Sequence, residues 1–167
     1  MEVKPHAYDP AANPELFEGV LARRLIAFII DVIIITIPVL FAGLFALIFG
    51  FVTFGLGWLL AWFLFWPATV IWILCYYGFT LGSPASATIG MRVMDLEMRT
   101  WYGAPAYFVL GAAHAIVFWI TISVLTPFIL LVAFFNERTR LLHDILVGTI
   151  IINNSARADY LRRERAW

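Results

Sequence analysis

The chain has 167 residues, of which 63% are hydrophobic and 13% are charged, and its formal net charge is zero. A water-soluble domain is usually close to half apolar and a quarter charged, so this composition excludes an ordinary soluble domain. A balanced charge favours no class of partner, and the single cysteine, Cys75, excludes an intrachain disulfide. No charged residue lies between Asp31 and Arg92, an interval typical of membrane-embedded protein.

The N-terminal part of the chain is polar and rich in proline, and we interpret residues 1–13 as a flexible cytoplasmic tail. Asn13, Pro14 and Glu15 then predict a helix start, because asparagine caps helices, proline suits the first turn and an acid suits the positive end of the helix dipole. Apolar residues follow at helical spacing and predict a short helix on the lipid surface that leads into the first span: Leu16, Phe17, Val20 and Leu21.

Two long apolar segments predict the first two membrane spans, at about residues 25–49 and 58–79. The third apolar block, Ala106–Phe135, is too long for one span and too short for two full ones. If it crosses once, the Lys and Arg residues divide between the two sides of the membrane. If it turns back, all 11 lie on one side, which the positive-inside rule favours. We therefore predict short or re-entrant spans at 106–121 and 124–136, with both termini cytoplasmic and the turn near Ser123, Thr126 and Pro127.

Two short segments outside the spans predict a small cytoplasmic β-pair. In RVMDLEMR, residues 92–99, apolar and charged side chains alternate, which is typical of a strand. An amphipathic surface helix remains an alternative, since Met91, Met94 and Met98 also share a helical face. VGTIII, residues 147–152, is β-branched and also strand-like. Residues 153–167 form a basic tail, which we expect to meet anionic lipid rather than nucleic acid.

Arg24 and Asp31 stand out at the start of the first span, in the stretch RRLIAFIID. They are seven residues apart, so they share a helix face and are separated by about 10 Å along the axis. A charged carboxylate at the bilayer centre costs about 2.5–3.5 kcal/mol on insertion scales, and such a residue needs partners. Two interpretations stay open: a structural anchor for this helix, and a proton or cation site.

Three motifs in a fixed order resemble the RDD family of small bacterial membrane proteins: RRLIAFIID at 23–31, SATIGMR at 86–92 and LLHDILVGTIII at 141–152. The resemblance covers about residues 17–152, and we place a membrane domain of this type at 14–152. The family takes its name from one arginine and two aspartates, which correspond here to Arg24, Asp31 and Asp144. The resemblance implies a membrane architecture in the bacterial inner membrane, and a cation/proton exchange role has been suggested for some members.

The chain departs from the family pattern at two positions. Gly90-Met91-Arg92 stands where members commonly have Gly-Lys-Arg, which leaves one basic group fewer in the loop. His114 stands early in the third apolar block, where members often carry an arginine, and a histidine can be neutral near pH 7. We therefore regard His114, with Asp31, as a candidate ion or proton site.

A charge cluster is our hypothesis for the polar residues at the cytoplasmic end of the bundle. Arg24 is shared between Asp31 and Asp144 in this hypothesis, with Arg92 and His143 nearby, because one guanidinium can offset the desolvation of two carboxylates. No metal site is predicted, since the three histidines, His6, His114 and His143, are far apart in the sequence. Phosphate-binding loops and nucleophile motifs are absent from the sequence, so we expect neither an enzyme nor a cofactor.

The predicted fold is an all-α polytopic membrane protein, a helical bundle of about four membrane passes, the last two short, with a small cytoplasmic β-pair. Two functions remain open. One is a transport component for protons or monovalent cations that uses Arg24, Asp31 and Asp144. The alternative is a non-transporting membrane scaffold or assembly factor. A chain of this size needs further copies to build a pathway, so we expect a homo-oligomer or a membrane-protein partner in the bilayer.

Overall fold

The computed structural model describes residues 8–125 and 138–166. Two long helices dominate it, and four shorter helices and two strands complete it. A single 3-10 turn, Pro14–Leu16, precedes the first helix. In chain order, the elements are α1 Val20–Val52, α2 Leu56–Leu81, α3 Ile89–Val93, β1 Leu96–Thr100, α4 Phe108–Leu125, α5 Leu142–Val147, β2 Thr149–Asn153 and α6 Ser155–Glu164.

Helices α1 and α2 are long and apolar enough to cross a membrane. They contain the predicted spans 25–49 and 58–79 and extend beyond them at both ends, and neither Pro38 nor Pro67 ends its helix. Large apolar side chains on both helices face outward, such as Phe41 at 69% and Trp62 at 73% exposure. Exposure of so much contiguous apolar surface to water would be unfavourable, and a lipid bilayer that surrounds both helices would cover it.

The third apolar block begins with α4, which packs against α2. Gly111 permits this approach, because a Cβ there would lie 2.8 Å from the Tyr77 carbonyl oxygen. Helix α4 continues to Leu125, past residue 121 where we placed the end of the third span and past Ser123 where we placed its turn. The predicted span 124–136 falls almost entirely outside the described residues, so the four-pass count stays a prediction.

The two strands form an antiparallel pair, as the alternation in residues 92–99 predicts. Leu96 pairs with Asn153 and Thr100 pairs with Thr149. Leu96 and Met98 are fully buried, whereas Glu97 and Arg99, which alternate with them, are half-buried and form a salt bridge of 2.9 Å. The strand interpretation is therefore confirmed over a surface helix. All five residues of β2 are buried, because α1 lies against it and the N-terminal turn packs beside it.

The N-terminal segment differs from the predicted surface helix. Its single 3-10 turn ends before Gly19, which adopts φ of 69°, and α1 begins only at Val20. A glycine suits this left-handed conformation, which interrupts any continuous helix from Pro14. Within the predicted tail, Tyr8 donates a hydrogen bond to the Gly103 carbonyl oxygen at 3.4 Å. The prediction for residues 1–7 lies outside the described residues.

The C-terminal segment is a helix bound to the N-terminal turn rather than a free basic tail. Arg162 on α6 donates to the Glu15 carboxylate at 2.7 Å, and Arg165 pairs with Glu18. Glu15 is itself buried, although Arg162 is exposed. Two arginines of the basic tail that we expected to meet anionic lipid thus join the N-terminal turn to α6.

We expect acid to weaken this junction. Burial raises the pKa of Glu15, but the Arg162 hydrogen bond and the charges of Arg162 and Arg165 hold it below the ordinary value of 4.5. Glu15 therefore contributes stability that is fully present above about pH 4.5 and is lost as the pH falls through the lower folded-state pKa. Hydrogen exchange in α6 should accelerate over that range. A Glu15→Gln variant should lose this acid dependence, whereas Glu97→Gln should keep it.

Candidate functional site

Asp31 lies deep in the bundle on α1, with 3% of its surface exposed, and three donors hold its carboxylate. The Tyr76 hydroxyl donates to Oδ1 at 2.6 Å, and the Gly90 backbone N–H donates to the same oxygen at 2.8 Å. The Thr88 hydroxyl donates to Oδ2 at 2.6 Å. These donors come from α2, α3 and the residue that caps α3, so one carboxylate connects three helices.

Local sequence explains why α3 presents its donors to Asp31. Thr88 is the N-cap of α3, and its hydroxyl accepts the Met91 N–H at 3.0 Å while it donates to Asp31. Gly90 allows the start of α3 to lie against α1, because a Cβ there would be 2.1 Å from the Ala27 carbonyl oxygen. The SATIGMR motif thus forms the start of α3 and supplies two hydrogen-bond donors, Thr88 and Gly90, to the Asp31 carboxylate.

Gly90→Ala is therefore expected to destabilise the protein. The added methyl group would meet Ala27 backbone and the Asp31 Oδ1 atom, so α3 must move away from α1 and lose a hydrogen bond. Overpacking of this kind typically costs about 1–3 kcal/mol. The thermal unfolding midpoint in mild detergent should fall. Gly43→Ala on α1 is the matched control, since its Cβ would make only ordinary contacts, at 3.7 Å, with the Phe65 ring; an equal loss in both variants would contradict the explanation.

Arg24 reaches in another direction and binds the start of α5. It donates to Asp144 Oδ2 at 2.6 Å and to the Thr139 carbonyl oxygen at 3.3 Å. The same carboxylate oxygen accepts the Leu141 N–H at 2.9 Å, so Asp144 also caps the helix that carries it. Asp144 is fully buried, and this contact joins the first helix to a segment 120 residues later.

Two imidazoles face the other oxygen of Asp144. His143 Nε2 lies 3.4 Å from Oδ1, and His114 Nδ1 lies 3.9 Å from it. All three side chains are buried, and their candidate ligand atoms lie within 4.8 Å of one another. We call His114, His143 and Asp144 the histidine–aspartate cluster. Among the residues that the structure describes, neither Asp144 Oδ1 nor His143 Nδ1 has a hydrogen-bond partner.

Burial and neighbouring charges shift the pKa values of both titratable residues that α5 contributes to the cluster, His143 and Asp144. Burial raises the pKa of Asp144, but the Arg24 guanidinium opposes this effect and holds the pKa below its usual range. Burial lowers the pKa of His143 more than the neighbouring Asp144 carboxylate raises it. The cluster therefore combines a charged carboxylate with a neutral imidazole from the same helix.

A cavity of about 460 Å³ borders the cluster. His114 and His143 both line it, as do Arg24 and Asp31 on α1, and the rest of its wall is mainly apolar. His114 lies on α4, and its Nδ1 atom is 3.3 Å from the Thr149 hydroxyl oxygen. Its ring packs edge-on to His143, with ring centroids 4.9 Å apart. A small species in the cavity would meet the two imidazoles first.

The predicted charge cluster is divided in the structure. Arg24, His143 and Asp144 lie together, but the arginine shared between both aspartates is wrong, because Asp31 takes its hydrogen bonds from Tyr76, Thr88 and Gly90. Two helical turns on α1 separate Arg24 from Asp31, and each reaches a different neighbouring element.

Arg92 and His114 also differ from their predicted places. Arg92 binds the Ser83 hydroxyl at 2.7 Å and the Ala87 carbonyl oxygen at 3.1 Å, so it stabilises its own loop rather than a carboxylate. His114 lies beside Asp144 and His143, although it lines the same cavity as Asp31. Our reason for expecting no metal site, the distance between histidines in the sequence, is therefore wrong for His114 and His143, since α4 and α5 pack together.

The hydrogen-bond partners of Asp31 were not predicted from the sequence. Thr88 carries a detectable signal, because threonine two residues before a glycine in SATIGMR fits a helix N-cap. Tyr76 carries none, since a tyrosine near the end of an apolar span is also typical of the membrane interface. Tyr76 binds Asp31 because α2 packs against α1 at this level, and the local sequence does not show that packing.

Long apolar helices with outward-facing aromatic side chains, tied together inside by an arginine and two aspartates, define a helical membrane protein. The RDD family model matches residues 19–148, and the chain belongs to that family. The match includes Arg24, Asp31 and Asp144, which the structure uses to join α1 to three other elements. No curated protein and no solved structure matches the chain.

Proposed function

We propose that this protein is a membrane transport component that handles small cations, protons or monovalent ions, at the histidine–aspartate cluster. The observation that carries the proposal is Asp144 Oδ1, a buried carboxylate oxygen with no donor in the described part of the chain. A buried polar atom normally finds a partner, so an unsatisfied anionic oxygen beside two imidazoles favours an external positive species.

Asp31 is not the transporting residue in this proposal. The two oxygens of Asp31 accept three short hydrogen bonds, from the Tyr76 and Thr88 hydroxyls and the Gly90 N–H. Such a carboxylate has little capacity left for a cation, and it acts as an anchor instead. Arg24 holds Asp144 by Oδ2 and leaves Oδ1 directed toward the imidazoles. The transport role thus moves from the first aspartate of the family motif to the second.

A complete pathway through the membrane needs more than one chain. Only two helices of the described residues are long and apolar enough to span, and the cavity beside the cluster is small. We therefore propose a homo-oligomer, or a complex with another membrane protein, in the bacterial inner membrane with both termini cytoplasmic. The exposed apolar surfaces of α1 and α2 provide ample area for lipid and for such partners.

Reconstitution into liposomes that contain a pH-sensitive dye tests the proposal. A sodium or potassium gradient should drive proton movement in the parent protein. His114→Gln should abolish it, because this change removes one cluster imidazole while the Arg24–Asp144 ion pair stays in place. Asp95→Asn changes a half-exposed carboxylate away from the cluster and should leave the movement intact. Proton movement that is equal in the parent and His114→Gln would refute the assigned site.

The alternative function, a non-transporting scaffold or assembly factor, is favoured by a different observation. Arg24 and Asp31 are fully used by bonds within the chain, as expected of residues that only hold a fold. A scaffold would show no ion movement in the parent or in any variant. It would also depend on an intact fold alone, so His114→Gln should keep every binding property of the parent.

A further inference from the structure

We infer that the histidine–aspartate cluster is a binding site for a divalent transition-metal ion of the Zn²⁺ class. The inference goes beyond the proposed function, because it adds a divalent ion to the protons and monovalent cations proposed for the same cluster. It uses three side chains from two helices: His114 on α4, and His143 and Asp144 on α5. Neighbouring positions 143 and 144 supply a nitrogen and an oxygen from one short helix, and α4 supplies the second nitrogen.

The distances fit a small ion. Zinc binds histidine nitrogen and carboxylate oxygen at about 2.0–2.2 Å, so two ligands of a tetrahedral site are about 3.4 Å apart. His143 Nε2 and Asp144 Oδ1 already have this separation, at 3.4 Å. His114 Nδ1 is 3.9 Å from Oδ1, and all three atoms lie within 4.8 Å of one another. The His114 side chain must move from the Thr149 hydroxyl, which is 3.3 Å from its Nδ1, toward the other two ligands to complete the set of three.

The ligand chemistry selects the class of ion. Imidazole nitrogen suits transition metals such as Zn²⁺, Ni²⁺ and Cu²⁺, whereas Mg²⁺ and Ca²⁺ prefer sites built from oxygen. Two nitrogens and one oxygen therefore favour a transition metal. Asp144 Oδ1 is the free acceptor of the cluster, since Oδ2 is already bound by Arg24 and by the Leu141 N–H.

Surrounding groups orient the ligands as in protein metal sites. Arg24 and Leu141 fix the carboxylate through Oδ2. Arg24 Nη2 also lies 3.4 Å from His143 Nε2, so the guanidinium must give up this nitrogen when an ion binds. The Phe118 ring packs edge-on to His143 with centroids 5.0 Å apart, which restrains that imidazole. The guanidinium of Arg24 also repels a bound cation, so we expect weaker binding than at a structural zinc site with thiolate ligands. A site of moderate affinity on a cavity wall suits an ion that must leave again.

Metal titration of the purified parent protein in detergent is the test, with an affinity tag that lacks histidine and prior removal of metal by a chelator. Calorimetry with Zn²⁺ should show a saturable site, and Co²⁺ should give the visible spectrum of a tetrahedral complex. Mg²⁺ should not compete. His114→Gln should weaken Zn²⁺ binding about tenfold or more while the unfolding temperature stays close to that of the parent.

Control variants separate metal binding from folding. Asp144→Asn should also lose the site, and Asp95→Asn, which alters a half-exposed carboxylate, should bind Zn²⁺ as the parent does. No saturable binding by the parent, or equal binding by His114→Gln, would overturn the inference. Zn²⁺ binding without any ion movement in liposomes would leave the metal site in place and refute the transport proposal. Proton movement without Zn²⁺ binding would support the transport proposal and refute the metal site.

Discussion

Replacing Arg24 with alanine should destabilise the protein by about 3–5 kcal/mol, the cost typical of removing one partner from a buried ion pair. Asp144 is fully buried, and Arg24 is the guanidinium that binds its Oδ2 at 2.6 Å. Without that charge, the Leu141 N–H is the one donor that the described residues still offer to the carboxylate. The connection from α1 to the start of α5 is lost at the same time. The protein should be produced in lower amounts and should unfold at a lower temperature.

Arg23→Ala is the neighbouring control for this prediction. Arg23 donates to the Met94 carbonyl oxygen and lies 3.7 Å from Asp95, whose side chain is half-exposed. A pair of that kind contributes about 0–1 kcal/mol, so the variant should resemble the parent. Titration with SDS in mixed micelles, followed by circular dichroism, measures the difference. Equal stability of Arg24→Ala and Arg23→Ala would show that the buried ion pair does not hold the fold.

A double variant distinguishes lost charge compensation from lost packing. Asp144→Asn keeps an oxygen that can accept the Leu141 N–H but removes the negative charge, and Arg24→Leu removes the positive one. If uncompensated charge is the main cost, the double variant should be more stable than Arg24→Leu alone, because neither charge of this ion pair remains. If packing is the main cost, the second substitution should bring no recovery.

The sequence predicted the membrane helices and the strand pair because both follow from local patterns. An uncharged interval from Asp31 to Arg92 is sufficient for two long helices, and the alternation around Leu96 and Met98 is sufficient for a strand. The order of the three motifs also predicted the family, which the match over residues 19–148 confirms. These features depend on neighbours in the chain and need no knowledge of the tertiary structure.

The partners of the buried charges could not be predicted in the same way. Spacing along α1 correctly places Arg24 and Asp31 two turns apart, but it does not say which element faces each of them. Tyr76 and Gly90 reach Asp31 because α2 and α3 pack against that turn of α1, and α5 reaches Arg24 two turns earlier. The approach of His114 to His143 depends equally on how α4 meets α5. Tertiary packing, rather than sequence separation, determines both sites.

Asp31→Ala is expected to be the second strongly destabilising change, by about 2–4 kcal/mol. It would leave the Tyr76 hydroxyl, the Thr88 hydroxyl and the Gly90 N–H without their acceptor. Each buried donor without a partner costs about 1–3 kcal/mol, although part of this is regained where side chains turn to other acceptors. Unfolding in SDS should show the loss, and hydrogen exchange should rise first in α3, because two of the three donors lie at its start.

Two smaller changes establish whether the three hydrogen bonds are the cause. Tyr76→Phe removes one donor and leaves the carboxylate with two, so it should cost about 1 kcal/mol. The double variant with Asp31→Ala should be no less stable than Asp31→Ala alone, since the bond in question is already absent. Additive losses would mean that Tyr76 stabilises the fold through other contacts. Asp31 then differs from Asp144: three donors occupy the Asp31 carboxylate and make it an anchor, whereas Asp144 Oδ1 has no hydrogen-bond partner among the described residues.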